Sequence, residues 1–391
     1  MQRLIPCLMA MPFVVLACSD QPILTAPAPT SPNQQAVKFW DDNAAVYWDI
    51  VARSLVARFP TPFPAIRGLA LVTVAQFNAA VTAEKVGEGK SQASAHAAIS
   101  AASVVALTYL FPGDAAALES RLDAYLAADG WPGNRNKDAA LGEAVGRDVA
   151  ARVIARAEGD RLFAPWTGTV PVGPGLWFSA TPPVGPMVGQ AKTYFLTSGD
   201  QFRPPPPPPF GSPEFLAALA EVRQISETRT AEQDSIAKFW AVRGVPYWNE
   251  IATTLAVKYH RTERETAHLL ALMNMVAFDA IVASHEAKFF YWLIRPSQAD
   301  PGIVLPIGLP NFPSYPSNHA AISAAIARIL GASFPAEQDR LDAMAEEAGI
   351  SRIYGGIHYR FDSDEGLVLG RKVAAWALAH DVNGHEPFVL Q

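Results

Sequence analysis

The residues most able to do chemistry lie in three short clusters: Lys288 with Arg295-Pro296, then Pro316-Ser317-Asn318-His319, then Ser351-Arg352 with His358 and Asp362. Together they offer what a tetrahedral oxyanion needs. Cations and hydroxyls meet its oxygens, a histidine near pH 7 takes and gives a proton, and a carboxylate fixes that histidine's tautomer. Lys288 and Arg295 are seven apart, so on one helix they share a face two turns apart, flanking the apolar run Phe289 to Ile294. Pro316 suits a first helical position, with Ser317, Asn318 and His319 in the first turn, where free N–H groups and the dipole favour an anion. His358 and Asp362 are four apart, within reach of a ring-to-carboxylate hydrogen bond, and Arg352 adds a planar fork.

This pattern resembles the superfamily of type 2 phosphatidic acid phosphatases and vanadium-dependent haloperoxidases, whose signature is K-x6-R-P, P-S-G-H and S-R-x5-H-x3-D. Order and internal spacing agree, and one position departs: Asn318 stands where the family usually has Gly. Asn is the non-glycine residue most tolerant of unusual backbone angles, though its amide can crowd a pocket. For a haloperoxidase the resemblance implies vanadate as cofactor, with His358 its only protein ligand. Lys288, Arg295, Ser317, Asn318 and Arg352 would bind its oxygens, His319 would assist proton transfer, and Asp362 would orient His358. For a phosphatase it implies no cofactor, with His358 attacking phosphorus and His319 protonating the leaving alcohol.

The motifs separate these chemistries poorly, because vanadate mimics phosphate. The soluble, duplicated architecture, a Phe202-Arg203-Pro204 connector and Phe312-Pro313-Ser314-Tyr315 before Pro316 favour the bacterial haloperoxidase-like branch, in which Phe312 is a candidate halide-pocket wall. The compact spacing from His319 to Ser351 favours the phosphatases. The small-molecule partners are thus peroxide and halide, or a phosphate ester. A degenerate, non-catalytic anchored protein is the third reading. His260, His268, His285 and His380 read as surface or packing residues, with His285 able to reach the pocket mouth.

The chain has 391 residues, half of them apolar and 17% charged, with a net charge of −6. That allows a sizeable core and argues against a general nucleic-acid binder. Residues 1–18 read as a secretory signal ending in Val15-Leu16-Ala17-Cys18, which resembles a bacterial lipobox with Cys18 as the lipidated residue. Residues 19–36 read as a flexible tether. These features predict an exported lipoprotein on the periplasmic face of the outer membrane, anchored by lipid only. No other segment reads as a transmembrane helix, and oligomeric state is left open.

The body contains a diverged duplication. Lys38-Phe39-Trp40 matches Lys238-Phe239-Trp240, Phe77-Asn78-Ala79 matches Phe278-Asp279-Ala280, and the run from His96 matches that from His319. Gly146-Arg147 likewise matches Gly370-Arg371, and Asn134 falls opposite His358. The fold class is therefore all-α: a first helical bundle over 37–160, a proline- and aromatic-rich irregular connector over 161–231, and a second bundle over 232–391 carrying the oxyanion site. Three- and four-residue apolar spacing predicts helices at 37–58, 64–84, 92–110, 115–128 and 136–158, then at 232–259, 262–294, 317–332, 336–348 and 363–381. His96 reads as a packing residue. Six prolines from Pro204 to Pro209 form a stiff rod, and the connector's aromatics suggest that it wraps the bundles and rims the pocket.

Overall fold

The computed structural model describes residues 43–88, 91–127 and 137–388. The signal, the tether, Cys18, the Lys38-Phe39-Trp40 repeat and Asn134 lie outside them. Among the described residues there are 13 α-helices and no strand. The first half holds α1 (Ala44–Val56), α2 (Pro62–Glu84), α3 (Ala95–Leu110), α4 (Ala115–Ala127) and α5 (Ala139–Glu158). After α6 (Pro213–Thr228) come α7 (Ala231–Ala241), α8 (Val245–Lys258), α9 (Glu263–Tyr291), α10 (Pro296–Ala299), α11 (Asn318–Ser333), α12 (Gln338–Tyr354) and α13 (Arg360–Ala379).

The duplication is visible in the packing. In the first half α3 and α5 pack on α2, and in the second α11 and α13 pack on α9; α2 and α9 then pack on each other. The two halves use the same close contacts. A Cβ on Gly146 would meet the Ala98 carbonyl at 2.2 Å, and one on Gly370 would meet the Ala321 carbonyl at 2.0 Å, so only glycine lets these helix pairs approach. Ser94 caps α3 by accepting from Ala97 N, and Ser317 caps α11 by accepting from Ala320 N.

α9 is the axis that positions the site. A Thr262–Glu265 capping box starts it, and it is buried on nearly all sides. Contrary to the sequence expectation, α2 and α9 are both long and apolar enough to cross a membrane, but 94% of each apolar window is buried inside the fold. They are core helices, and their apolarity is spent on each other and on their neighbours.

Several elements differ from the pattern reading. The helix expected over 262–294 stops at Tyr291, because Trp292 adopts a left-handed conformation at φ 53°. Arg295 therefore lies beyond α9 and extended, not two turns along from Lys288. The stretch expected as one helix over 232–259 breaks into α7 and α8, with Gly244 at φ −149° and Pro246 opening the second. Pro316 precedes α11 rather than opening it, and follows a cis peptide bond. α12 runs on to Tyr354, so Ser351 and Arg352 are helical. The connector hides α6, opened by Pro213 and capped by Ser212.

The rest of the connector is strapped to the second half by hydrogen bonds that the proline pattern does not show. Asp279 on α9 accepts from the backbone N–H groups of Tyr194, Phe195 and Leu196 at 2.7, 2.7 and 3.0 Å. Proline-rod carbonyls, which have no ladder to join, accept from tyrosines: Tyr291 Oη bonds Pro204 O and Tyr315 Oη bonds Pro205 O, at 2.8 and 2.7 Å. Arg203 pairs with Glu286, and Trp177 N donates to Trp292 O at 2.7 Å.

Candidate active site

Lys288 enters from the last turn of α9 and is fully buried. Its Nζ donates to the carbonyls of Pro313, Ser314 and Pro316 at 3.1, 2.5 and 2.5 Å. Burial and the neighbouring Arg295 push the ammonium well below its ordinary pKa. Three carbonyl acceptors oppose that, since only a charged ammonium has three N–H groups to give. Lys288 thus shapes the loop leading into α11 and contributes a fixed positive charge.

Arg295 converges from the other side. Its Nε donates to Phe312 O at 3.0 Å and its Nη1 to Ile357 O at 2.7 Å, and Nη1 also lies 3.0 Å from His358 Nε2. A guanidinium can only donate, so His358 Nε2 carries a lone pair and Nδ1 carries the proton. That Nδ1–H donates to Asp362 Oδ2 at 2.7 Å. Ser314 Oγ and Tyr359 N donate to the same oxygen at 2.6 and 3.1 Å. Burial raises Asp362 to about 6 against the Ser314 hydrogen bond and the charges of Lys288 and Arg295. Burial, then Arg295, Lys288 and Arg352, push His358 well below its ordinary value, so it is neutral.

The third side comes from α7, α11 and α12. Arg352 donates from Nε to Ser351 Oγ and from Nη2 to Ala237 O, both at 2.9 Å, and burial lowers it to about 10. His319 lies 3.1 Å from Trp240 O through Nε2. Burial, then the Arg352 charge, lowers it to about 3. Ser317 Oγ caps α11 and its N–H donates to Asp362 O at 2.8 Å. Asn318 sits in helical conformation, so no special backbone angle is asked of it, and its buried Oδ1 has no hydrogen-bond donor. Phe312 lies beside both inner cations, with Lys288 Nζ 5.5 Å and Arg295 Cζ 5.2 Å from its ring centre.

All the motif residues thus line one buried region. Lys288, Arg295, His358 and Asp362 are joined by direct contacts or a shared loop; the Arg352 charge acts on both His358 and His319. Three buried cations face one buried carboxylate, and Arg295 Nη2 is a buried donor with no acceptor. Both facts fit an oxyanion, phosphate or vanadate, whose oxygens would meet the spare donor and the surplus charge.

The motifs did not point to Ser314, which no spacing rule singles out, nor to the α7 carbonyls, which have no side-chain signature. The first half also contributes Phe63, whose ring lies 4.7 Å from His285 and 6.2 Å from Phe312. His285 is buried, and neither ring nitrogen has a hydrogen-bond partner. The Ile281 carbonyl, one turn back, accepts from Ser284 Oγ at 3.1 Å and also favours the charged ring, but burial outweighs it. Burial, then Lys288 and Arg295, hold His285 neutral. His96, the first-half counterpart of His319, instead bonds Glu263 at 2.8 Å across the two halves.

Comparison with known proteins agrees with this geometry. A family model described as the VCPO second helical-bundle domain matches residues 332–384. A non-specific acid phosphatase of Providencia stuartii is 31% identical over 215 residues, spanning 52% of this chain and 83% of that protein. One from Salmonella typhi is 24% identical over 193 residues, spanning 44% of this chain and 70% of that protein. Among solved structures, the first bacterial vanadium-dependent iodoperoxidase has a TM-score of 0.69 at 23% identity, covering 90% of this chain and 97% of that one. An apo bacterial vanadium-dependent chloroperoxidase has a TM-score of 0.69 at 14% identity, covering 82% and 94%. At these identities the solved structures speak for the fold, and the phosphatase for the family. The chain therefore belongs to the superfamily of enzymes that joins type 2 phosphatidic acid phosphatases and non-specific acid phosphatases to the vanadium-dependent haloperoxidases.

Proposed function

We propose that this chain is a vanadium-dependent haloperoxidase-type enzyme, oxidising a halide with hydrogen peroxide. The observation that carries this reading is the extent of the likeness to haloperoxidase structures: it runs through both halves and 90% of this chain, against 52% for the acid phosphatase. His319 Nε2 faces the Trp240 carbonyl, which can only accept, so that nitrogen donates. In this reading the ring, held by that carbonyl, would assist proton transfer from peroxide.

In this reading His358 Nε2 would hold vanadate, with Arg295 Nη1 turning from the ring to an oxygen. Arg352, the spare Nη2 of Arg295 and the first-turn N–H groups of α11 would meet the remaining oxygens. Bound vanadate would supply a Lewis-acidic centre that makes peroxide susceptible to halide attack. Lys288 keeps the Pro313–Pro316 loop and its positive charge in place, and Asp362 holds the His358 tautomer. Phe312 keeps water from the cation side.

The 31% identity to an acid phosphatase favours a second reading, phosphomonoester hydrolysis through His358. One preparation separates them. Vanadate-loaded protein is assayed for peroxide-dependent iodide and bromide oxidation, and vanadate-free protein for aryl phosphate hydrolysis. Halide oxidation that requires vanadate, without hydrolysis, is expected; hydrolysis inhibited by vanadate, without halide oxidation, would replace this reading by the second. We also infer export with lipidation at Cys18, which mass spectrometry of the mature N-terminus would check; an unmodified N-terminus at another residue would refute it.

A further inference from the structure

Asn318 is where the chain departs from its family's motif, and nothing in the local helix start calls for its amide. The first half shows this. There Ser94 caps α3 as Ser317 caps α11, and the residue between the cap and the histidine is Ala95. Asn318 is 8% exposed, and its Oδ1 is buried with no donor. A buried acceptor left unpaired costs stability, a cost that alanine at the matching position does not carry.

The direction of the amide follows from the helix. Asn318 is the first residue of α11, and Cα–Cβ bonds tilt towards a helix N-terminus. The side chain therefore leans towards the end from which the free first-turn N–H groups emerge. On one side Ser317 N donates to Asp362 O at 2.8 Å, and on the other His319 faces Trp240 O at 3.1 Å. Asn318 is thus held between two residues of the oxyanion site. In the same site Arg295 Nη2 is a buried donor with no acceptor, while Nη1 lies 3.0 Å from His358 Nε2. Asp362 Oδ1 also lacks a donor, but that carboxylate bonds His358 at Nδ1, the opposite end of the ring from Nε2.

Arg295 Nη2 and Asn318 Oδ1 have opposite needs. The first requires an oxygen lone pair and the second a proton. A fully deprotonated oxyanion meets the first and sets the second against an oxygen with nothing to donate. An oxyanion that keeps one O–H meets both. Charge does not make this choice, because Lys288, Arg295 and Arg352 against Asp362 favour the more highly charged ion. We propose that Asn318 Oδ1 is a specificity determinant that accepts a hydrogen bond from the ion's own O–H. The site then takes hydrogen phosphate or hydrogen vanadate and rejects sulfate and molybdate. The inference rests on the oxyanion reading of the site and holds for either chemistry set out above.

Titration calorimetry at pH 7.5 tests it with two pairs of tetrahedral ions of similar size, phosphate against sulfate and vanadate against molybdate. In each pair the first ion carries a proton at this pH and the second does not. Wild type is expected to bind the protonated ion at least about tenfold more tightly. The variants are Asn318→Gly, which removes the amide, and Asn318→Ser, whose hydroxyl can donate as well as accept. In both, sulfate and molybdate should gain at least about fivefold in affinity while phosphate and vanadate stay within about threefold. Sulfate bound by wild type as tightly as phosphate would overturn the proposal. So would an unchanged preference in both variants, or an equal loss for all four ions, the result of an amide that donates to the ion. Wild-type protein that binds none of the four would overturn instead the oxyanion reading on which the inference rests.

Discussion

His285→Phe should stabilise the protein, and do so more in acid than at neutral pH. The imidazole is buried with no partner on either nitrogen, which costs about 1–3 kcal/mol. Phenylalanine keeps the ring and its contacts with Phe63, Phe312 and Phe289 at centroid distances of 4.7, 5.1 and 6.1 Å. It is slightly larger, and overpacking returns roughly 1 kcal/mol. The net gain at pH 7.5 is therefore about 0–2 kcal/mol. The folded ring is held neutral well below its ordinary pKa, whereas the unfolded ring titrates near 6.5. A lowered pKa means that the wild type loses stability as pH falls below the unfolded value, by about 1.4 kcal/mol per pH unit. At pH 5 the advantage of the variant should have grown by about 2 kcal/mol. Urea midpoints at the two pH values read this directly. A variant less stable than wild type by over about 1 kcal/mol, or a difference that does not change with pH, would refute the reasoning.

Asn318→Asp should weaken vanadate or phosphate binding at least about tenfold, because it sets a carboxylate beside the anion; Asn318→Gly should bind within about threefold of wild type, and titration calorimetry distinguishes them. Activity should rise with pH through about 6 as Asp362 loses its proton, and this inflection should be absent from the pH–rate profile of Asp362→Asn. The raised pKa gives stability the opposite trend: the contribution of Asp362 is full below its unfolded value and lost as pH passes about 6. His96→Ala should leave turnover unchanged while costing stability, since it removes a bond to Glu263 between the halves and the stack on Tyr125; a large loss in kcat would show that the first half joins the chemistry.

The all-α class and the duplication were legible because each rests on long patterns. Repeated pairs such as Gly146 and Gly370 mark a packing constraint that one residue type alone meets. The motif residues were legible because fixed spacing brings them to helix ends. What spacing could not give was direction. Lys288 and Arg295 meet across a left-handed turn at Trp292, a conformation no propensity assigns to tryptophan. Asn318 needs no unusual backbone angle. α6 was concealed by surrounding prolines, although Ser212-Pro213 is a good helix start. Contacts made by carbonyls, such as Trp240 O to His319, leave no mark in side-chain patterns.

The central claim is that the lone pair on His358 Nε2, set among buried cations, is where the oxyanion binds. Titrating orthovanadate into wild type and His358→Ala, with phosphate as competitor, tests it most directly. The account predicts one vanadate per chain, displaced by phosphate, with affinity reduced at least about a hundredfold in the variant (some 2.7 kcal/mol). Equal vanadate affinity in the two proteins would contradict it.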